Sequence, residues 1–307
     1  MAKYKKGTIV TLDSLELKLE QKLGRKYVWK ARVAGSERFV VAKFFPNEPD
    51  QEEYFTRESS SLRRVNENGG HPNVVRVEAI QNGENKCVVL EYVPGVDFYN
   101  LFCRLRRRQK GFHPLEIQLF REVLDALQHG SEKGVVHNDM KDDCVIVYSR
   151  DGSRMTVDLL KNPYILNVKL CDYGFGRNPD TIALDDNLQR NAQILETPGH
   201  SPPEKLYNFG DQDVRVDIFS AGVTLYYLLT GNFPYGNDDN RSINQRQSDA
   251  AARGNIPDPS QINREVRPAL AQVVKKAIHP DRKERFSTPA EMKEAFDKAY
   301  KDNKYTL

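Results

Sequence analysis

The stretch Val135-Val136-His137-Asn138-Asp139-Met140-Lys141-Asp142-Asp143-Cys144 sets an aspartate, Asp139, two residues before a lysine, Lys141, behind an apolar pair. Further along the chain, Leu170-Cys171-Asp172-Tyr173-Gly174 brings another aspartate directly after apolar residues. Phosphoryl transfer needs a carboxylate that orients the acceptor hydroxyl, a cation for the phosphate and a carboxylate that holds a metal ion. Asp139, Lys141 and Asp172 have side chains of these types, so both stretches are candidates for a site that handles phosphate groups.

The composition of the chain is that of an ordinary globular protein. It has 307 residues, of which 39% are hydrophobic and 29% charged, and this length suffices for one large domain or two smaller ones. The 46 lysines and arginines nearly balance the 43 aspartates and glutamates, which leaves a net charge of +3. So even a balance gives no reason to expect nucleic acid or an anionic membrane as the main partner.

The sequence also predicts a cytoplasmic protein. The basic start Met1-Ala2-Lys3-Tyr4-Lys5-Lys6 has no apolar run behind it, unlike a signal peptide. No window approaches the roughly 18 apolar residues of a membrane span. The four cysteines lack C-x-x-C spacing, so we expect free intracellular thiols. The expected location is the cytoplasm, or a host cytosol if the protein is an effector that leaves its cell without an N-terminal signature.

The pattern of residues predicts two parts of different character. The first part reads as a five-stranded antiparallel sheet with one helix at residues 52–66, and the strands are expected at residues 8–12, 27–33, 38–45, 74–80 and 86–93. After Pro94-Gly95 the pattern becomes helical, with helices expected at residues 115–128, 214–230, 264–277 and 289–300. We therefore expect an α+β protein with a small sheet-rich lobe at residues 8–93 and a larger, mainly helical lobe at residues 94–300.

Several motifs resemble those of protein kinases. The first stretch resembles the catalytic loop H-R-D-L-x-x-x-N, with Cys144 at the place of the Asn, and the second resembles D-F-G, with Tyr173 for Phe. Phe39-Val40-Val41-Ala42-Lys43 resembles the strand motif V-A-I-K, and Thr197-Pro198-Gly199-His200-Ser201-Pro202-Pro203-Glu204 resembles the segment that ends in A-P-E. From about residue 12 to about residue 300 the chain is similar to eukaryotic-type serine/threonine protein kinases.

This resemblance implies a two-lobed kinase fold, ATP and Mg²⁺ (or Mn²⁺) as cofactors, and a protein as substrate. The chain would then transfer the γ-phosphate of ATP to a serine or threonine hydroxyl. Asp139 would orient that hydroxyl, Lys141 would balance the charge of the γ-phosphate, and Thr197 would bridge the two. A lysine two residues after the aspartate is similar to serine/threonine kinases rather than to tyrosine kinases.

The resemblance also assigns a nucleotide site. Lys43 would bind the phosphates and form an ion pair with Glu58, and Asp172 would hold the metal ion that bridges the phosphates. In the larger lobe, Asp217 would hold the backbone of the catalytic loop, and Arg285 would pair with Glu204. The remaining cofactor-binding positions that the resemblance implies are Val28, Ala42, Leu90, Glu91, Val93 and Asp97.

Two departures from the kinase pattern affect the expected nucleotide site. The glycine-rich loop is shortened to Leu23-Gly24-Arg25-Lys26-Tyr27-Val28, about three residues less than the motif requires, and Arg25 or Lys26 would supply charge in its place or be solvated. Cys144 stands where the motif has a metal-binding Asn, and a thiol is a poor ligand for Mg²⁺. Either Asp142 or Asp143 compensates, or one metal ion suffices.

Two further departures concern the catalytic loop and its surroundings. Asn138 replaces the usual arginine, so no cation stands beside Asp139 to receive a phosphate, and we expect activity without phosphorylation of the activation loop. The separation between Asp139 and Asp172 is longer than usual, which predicts an enlarged hairpin at residues 148–167. Cys144 and Cys171 are expected near the nucleotide, either as buried thiols or as a redox switch.

Three functions fit these residues. The first is an active, atypical serine/threonine protein kinase, since Lys43, Asp139 and Asp172 are all present. The second is a pseudokinase that serves as a scaffold or regulatory binding module, which the short loop and Cys144 favour. The third is transfer to a small molecule, or transfer of another group from ATP. The basic run Arg104-Leu105-Arg106-Arg107-Arg108-Gln109-Lys110 is either a solvated face or a docking site for an acidic partner.

Overall fold

The computed structural model describes residues 4–13, 15–24, 27–83, 85–106, 114–153, 155, 165–184, 199–207, 212–235 and 256–301. Within these residues the fold has two lobes. An antiparallel sheet with one long helix forms the smaller lobe, and a mainly helical part with a small second sheet forms the larger lobe. No helix in the described ranges is both long and apolar enough to cross a bilayer.

The sheet of the small lobe contains six described strands, numbered along the chain, one more than the sequence pattern predicted. Their order is β1-β2-β3-β4-β6-β5, and all neighbours are antiparallel. The additional strand is β2, in which Leu17 and Leu19 are buried between polar residues that face solvent. The strands are β1 (Ile9–Thr11), β2 (Glu16–Lys22), β3 (Val28–Val33), β4 (Phe39–Phe44), β5 (Val77–Gln81) and β6 (Cys87–Glu91).

Helix α1 (Pro49–Val65) begins three residues before the predicted start. Proline lacks an N–H and has a fixed φ, and both properties suit the first turn of a helix. At the other end, the Asn66 side chain donates to the carbonyl groups of Leu62 and Val75, 2.9 and 3.3 Å away. These bonds tie the end of α1 to the chain that leads into β5.

A second, three-stranded sheet brings the two motif stretches together. It consists of β7 (Val96–Asp97), β8 (Val145–Ser149) and β9 (Leu166–Leu170), in that order. Tyr148 pairs with Asn167, which confirms the predicted hairpin, although residues 154 and 156–164 lie outside the described ranges. A 3₁₀ turn, Asp142–Cys144, directly precedes β8. Cys171 and Asp172 directly follow β9, at the same end of the hairpin.

The central helix of the large lobe, α5 (Arg215–Thr230), is buried along nearly its whole length and ends at Gly231 with φ 73°. The helix predicted at residues 264–277 begins later, at Pro268, because the residue before a proline avoids the helical region and Arg267 is extended. The described helices are α2 (Phe98–Arg106), α3 (Pro114–Glu132), α4 (Pro203–Tyr207), α5 (Arg215–Thr230), α6 (Pro259–Ile262), α7 (Pro268–Ala277) and α8 (Pro289–Lys301).

Strand β4 separates two apolar environments. Val40, Ala42 and Phe44 are buried in the core on one face of the sheet, together with β2 and β3. Val41 and Lys43 alternate with them and point to the other face, as the two-residue period of a strand requires. The second core continues from α1 through β6 into α3, α5, α7 and α8. Lys43 therefore leaves β4 towards the space between the lobes.

Candidate functional site

The predicted ion pair between Lys43 and Glu58 is present, and Asp172 joins it. Glu58 comes from α1 and is 1% exposed, and its carboxylate contacts the Lys43 ammonium directly. The Asp172 Oδ1 atom lies 3.2 Å from the same Nζ atom. Burial alone would lower the pKa of Lys43, but the carboxylates of Glu58 and Asp172 outweigh it and raise that pKa. Lys43 is therefore a fixed cation between two carboxylates.

The backbone at Asp172 is held in an unusual conformation. Its φ is 69°, a left-handed value that few residues other than glycine adopt. Just before it, Cys171 donates its N–H to the Cys144 carbonyl over 2.9 Å, and its own carbonyl lies 3.0 Å from Nε2 of His137. The buried Tyr173 ring packs on the His137 ring, with the ring centres 4.6 Å apart. These contacts fix the direction in which the Asp172 carboxylate points.

Asp139 and Lys141 form a second charged pair beside the first. Asp139 is buried, and its Oδ2 atom lies 3.2 Å from the Lys141 ammonium, which is also 3.8 Å from Asp143. Burial lowers the pKa of Lys141, but the nearby acids, Asp139 first, raise it overall. The predicted third member, Thr197, lies outside the described residues, so the bridge expected from it stays a prediction.

The backbone that carries Asp139 is anchored to α5. The Asp217 carboxylate is 1% exposed and accepts hydrogen bonds from the N–H groups of His137 and Asn138, over 2.7 and 2.8 Å. The predicted pair of Arg285 with Glu204 is also present, as two parallel bonds of 2.6 and 2.8 Å. Bidentate pairs of this kind fix orientation as well as charge.

A cleft of about 600 Å³ lies between the lobes beside these charges. Its lining is apolar on the sheet side and acidic where the large lobe begins, so it offers a surface for a flat ring at one end and ion-binding groups at the other. The predicted cofactor-binding residues that line it are Val28, Lys43, Glu58, Leu90, Glu91, Val93, Asp97 and Asp172.

The assignment of Ala42 to the cofactor site was wrong. Ala42 is fully buried in the core on the opposite face of β4, opposite Trp29 in the strand pairing. Side chains of a strand alternate between faces, so the residue that shares the face of Lys43 is Val41, which lines the cleft. The strand period itself was the signal that would have selected Val41.

A family comparison now identifies the chain. The family model of the protein kinase domain matches residues 20–300. The chain belongs to the protein kinase family. Its curated relatives include CBL-interacting protein kinase 21 of Oryza sativa subsp. japonica, 26% identical over 287 residues, and a probable serine/threonine-protein kinase of Clostridium perfringens, 26% identical over 289 residues. Each alignment covers 92% of this chain.

The kinase chain spans about half or less of the length of these relatives, 46% of the rice protein and 38% of the clostridial one. Among solved structures, the PknI kinase domain of Mycobacterium tuberculosis has a TM-score of 0.65 and 17% sequence identity to it. That match covers 96% of this chain and 99% of the PknI chain. The structural likeness supports the two-lobed kinase fold.

The loop that precedes the kinase cleft is short, as the sequence predicted. Lys22 still pairs with Trp29, and the Leu23 N–H donates to the Val28 carbonyl over 2.9 Å. Gly24, with φ 53°, and Leu23 line the cleft. Arg25 and Lys26 lie outside the described residues. With only four residues between Leu23 and Val28, the chain has few backbone N–H groups here to direct at a phosphate.

The donor set at the predicted metal position fits Mg²⁺ only in part. One ligand atom from each of Asp139, Cys144 and Asp172 lies within 4.8 Å of the others. Carboxylate oxygens suit Mg²⁺, but the buried Cys144 thiol has a pKa raised well above its usual value, by burial first and then by Asp172. Its single S–H is shared between the Asp139 carbonyl and the Asp143 carboxylate, each 3.5 Å from Sγ. Asp172 therefore fits a magnesium ion, and Cys144 does not.

His200 packs beside the catalytic loop, a position that no motif in the sequence predicted. His200 is buried against Phe233, and its Nε2 atom lies 3.8 Å from Asp142. Burial, and then the charge of Lys141, lowers the pKa of His200 to about 4. Burial and the neighbouring Asp143 raise the pKa of Asp142 to about 6. His200 comes from the segment before Glu204, so that segment packs on the catalytic loop.

The predicted docking site for an acidic partner stays a prediction. Helix α2 reaches Arg106, but residues 107–110 lie outside the described ranges.

Proposed function

We propose that this chain is an active serine/threonine protein kinase that transfers the γ-phosphate of ATP to a protein hydroxyl. The observation that carries the proposal is the convergence of Lys43, Glu58 and Asp172 in one cleft, with Asp139 and Lys141 beside them. Such an arrangement of buried charges is costly to fold unless the charges are paired, and it is the arrangement that phosphoryl transfer needs.

The cleft suits a nucleotide in a single direction. The adenine would lie between Val28 and Leu90 and hydrogen-bond to the backbone at Glu91 and Val93, and Asp97 would bind the ribose. The Val93 carbonyl already accepts a hydrogen bond from Gly95, which favours its N–H as the group for adenine. The phosphates then point towards Lys43, whose position Glu58 fixes.

Asp172 is the residue that would hold Mg²⁺ or Mn²⁺ against the phosphates. A metal ion bound there supplies charge neutralisation for the transferred phosphoryl group. Asp139 receives or orients the proton of the acceptor hydroxyl. Lys141 offsets the negative charge of the γ-phosphate. The lysine at this place supports serine or threonine rather than tyrosine as acceptor. With Cys144 unsuited to Mg²⁺, the site works with one metal ion.

A pseudokinase that binds partners without efficient transfer is the second candidate. It is favoured by the thiol at Cys144 and by the short turn at Leu23 and Gly24, both of which remove groups that normally hold the phosphates. These losses weaken binding of one metal ion and of the phosphates, whereas the pairs around Lys43 and Asp139 remain.

The boundaries and location of the protein are part of the proposal. We place the small lobe at residues 8–93 and the large lobe at residues 94–300, with the hinge at Val93 and Pro94. A protein substrate and a cytoplasmic location complete it, and the four free cysteines, of which Cys87 and Cys144 are buried, are consistent with a reducing compartment.

The test is phosphate transfer by the purified protein. The wild type is incubated with γ-labelled ATP, a general protein substrate and Mg²⁺ or Mn²⁺, and labelled amino acids are identified after hydrolysis. We expect label on serine or threonine, lost in Asp139→Asn and kept in Asp13→Asn, which changes an exposed aspartate. Activity that survives Asp139→Asn, or label on tyrosine alone, would contradict the proposal.

A further inference from the structure

Lys205 is a buried cation outside the groups used so far. It follows Glu204 directly in α4, and it is 1% exposed. Lysine is almost never fully buried unless its ammonium is paired. Here the Nζ atom donates a hydrogen bond of 2.5 Å to the backbone carbonyl of Asn138, the residue before Asp139.

The carbonyl of Asn138 and the N–H of Asp139 belong to the same peptide group. Lys205 therefore holds the peptide that leads into Asp139 from its carbonyl side. From the other side, Asp217 accepts from the N–H groups of His137 and Asn138. The Asp217 carboxylate thus binds the N–H donors of this backbone turn, and the Lys205 ammonium binds its carbonyl acceptor.

The two charges also stabilise each other. Burial raises the pKa of Asp217 overall, while His137, the backbone N–H groups of Asn138 and His137 and, with the smallest effect, the charge of Lys205 act in the opposite direction. The negative charge of Asp217 and the positive charge of Lys205 therefore compensate each other across the backbone of residues 137–139. Removal of one side chain leaves the other as a buried charge without this partner.

The side chain of Asn138 does not hold this turn. Its φ is 67°, in the left-handed region, and neither its Nδ2 nor its Oδ1 atom has a hydrogen-bond partner among the described residues. A residue held in a sparsely populated conformation persists only when its surroundings fix it. At Asn138 the fixing contacts are those of its backbone, to Asp217 and Lys205.

We propose that Lys205 is a positioning residue for Asp139, and that it couples the placement of residues 199–207 to the alignment of the catalytic loop. The effect on turnover rests on the proposed kinase function, whereas the effect on the backbone does not. Because the ammonium group of Lys205 holds the backbone beside Asp139, the catalytic loop is aligned without phosphorylation of the chain. A purely structural lysine would instead lower stability with no selective change at residues 137–139.

The test measures amide hydrogen exchange at residues 137–139 in Lys205→Met, Lys205→Gln and the wild type. We expect these amides to exchange about tenfold faster in Lys205→Met, because a hydrogen bond to a charged group is lost. Lys205→Gln keeps an N–H donor without the charge and should give an intermediate rate. Lys276→Met, a change in an exposed ion pair on α7, should leave the rates as in the wild type.

Kinetics on the same variants test the consequence. We expect kcat of Lys205→Met to fall about 10²-fold, the effect of a reacting group misplaced by about 1 Å, with the Kd for Mg·ATP unchanged. Unchanged exchange in folded Lys205→Met overturns the proposal. If that variant does not fold, wild-type exchange in Lys205→Gln overturns it. If the wild type transfers no phosphate, the proposed function fails, and the exchange data alone still decide the backbone role of Lys205.

Discussion

At the scale of single residues, Cys144 is the departure with the most direct chemical consequence. Its thiol occupies a place within reach of Asp139 and Asp172, but it stays protonated and donates hydrogen bonds to oxygen atoms. A hard metal ion gains nothing from such a neighbour. The chain therefore has the carboxylate that would hold one metal ion and carries a thiol at the position where the kinase motif has a metal-binding Asn.

The metal dependence of nucleotide binding tests this account of Cys144. In Cys144→Asn an amide oxygen replaces the thiol, so we expect the Mg²⁺ concentration for half-maximal nucleotide binding to fall about tenfold, as a hard oxygen ligand is added. A titration with a fluorescent ATP analogue measures it. Cys171→Ser, which changes the neighbouring thiol, is the control. An identical titration curve for Cys144→Asn would mean that residue 144 is remote from the metal ion.

His200 gives a prediction for the pH dependence of stability. Its pKa is about 4 in the folded state, against 6.5 for an ordinary histidine. The unfolded chain therefore binds more protons than the folded one as the pH falls through this window. The contribution to stability is complete above pH 6.5 and is lost as the pH falls to about 4, and it amounts to about 3 kcal/mol.

His200→Gln should remove this contribution. From about pH 7 to about pH 4, the free energy of unfolding of the variant should fall by about 3 kcal/mol less than that of the wild type. Urea unfolding at a series of pH values measures the difference, and His279→Gln, at a more exposed site, is the control. Parallel stability curves for His200→Gln and the wild type would show that His200 does not titrate in this way.

At the scale of elements, α1 is joined to the chain that follows Asp172. Gly176 lies so close to α1 that an added Cβ atom would overlap the Ser61 hydroxyl. Nearby, Asn178 donates to Ser61 over 2.9 Å, and Arg64 forms two hydrogen bonds of 2.9 Å with Asp180. These contacts hold α1, and with it Glu58, against the segment that carries Asp172.

Gly176→Ala should separate these two elements. The added methyl group meets a buried serine and the Tyr173 carbonyl, so we expect a loss of about 2 kcal/mol in the free energy of unfolding and weaker Mg·ATP binding. Chemical unfolding and calorimetry measure the two effects. The compensating change Ser61→Gly should restore part of both. A Gly176→Ala protein with wild-type stability and affinity would contradict the close packing.

The sequence predicted elements well where one pattern dominated and less well where two signals competed. The apolar helix α5 and its glycine end were predictable because every turn is buried and Gly231 is left-handed. Strand β2 was missed because charged residues conceal the alternation of Leu17 and Leu19. The start of α7 was placed too early because the restriction on the residue before Pro268 was not applied.

At the scale of the whole molecule, the cleft between the lobes joins residues from distant parts of the sequence. The resemblance to kinase motifs implied that Lys43, Glu58 and Asp172 would meet, and the three side chains do lie together. It did not predict Lys205 or His200, whose roles depend on how residues 199–207 pack on the catalytic loop. Ala42 was misassigned because a motif was matched without the period of its strand.

The expected independence from phosphorylation concerns the molecule as a whole. Asn138 offers no cation to a phosphate, and the backbone around it is already fixed by Asp217 and Lys205. We therefore expect treatment with a phosphatase, followed by its removal, to leave the rate of transfer unchanged. Mass spectrometry confirms that the protein carries no phosphate before the assay. A large loss of rate that returns on incubation with ATP would contradict this expectation.

The most direct test of the central claim compares Mg·ATP binding and phosphate transfer in four proteins, the wild type, Lys43→Met, Asp172→Asn and Asp139→Asn. Because Lys43 and Asp172 would hold the triphosphate and Asp139 would act on the acceptor, the first two changes should weaken binding, and Asp139→Asn should bind normally and transfer nothing. Mg·ATP binding of wild-type strength in both Lys43→Met and Asp172→Asn would show that these residues do not share one triphosphate, and the account would fail.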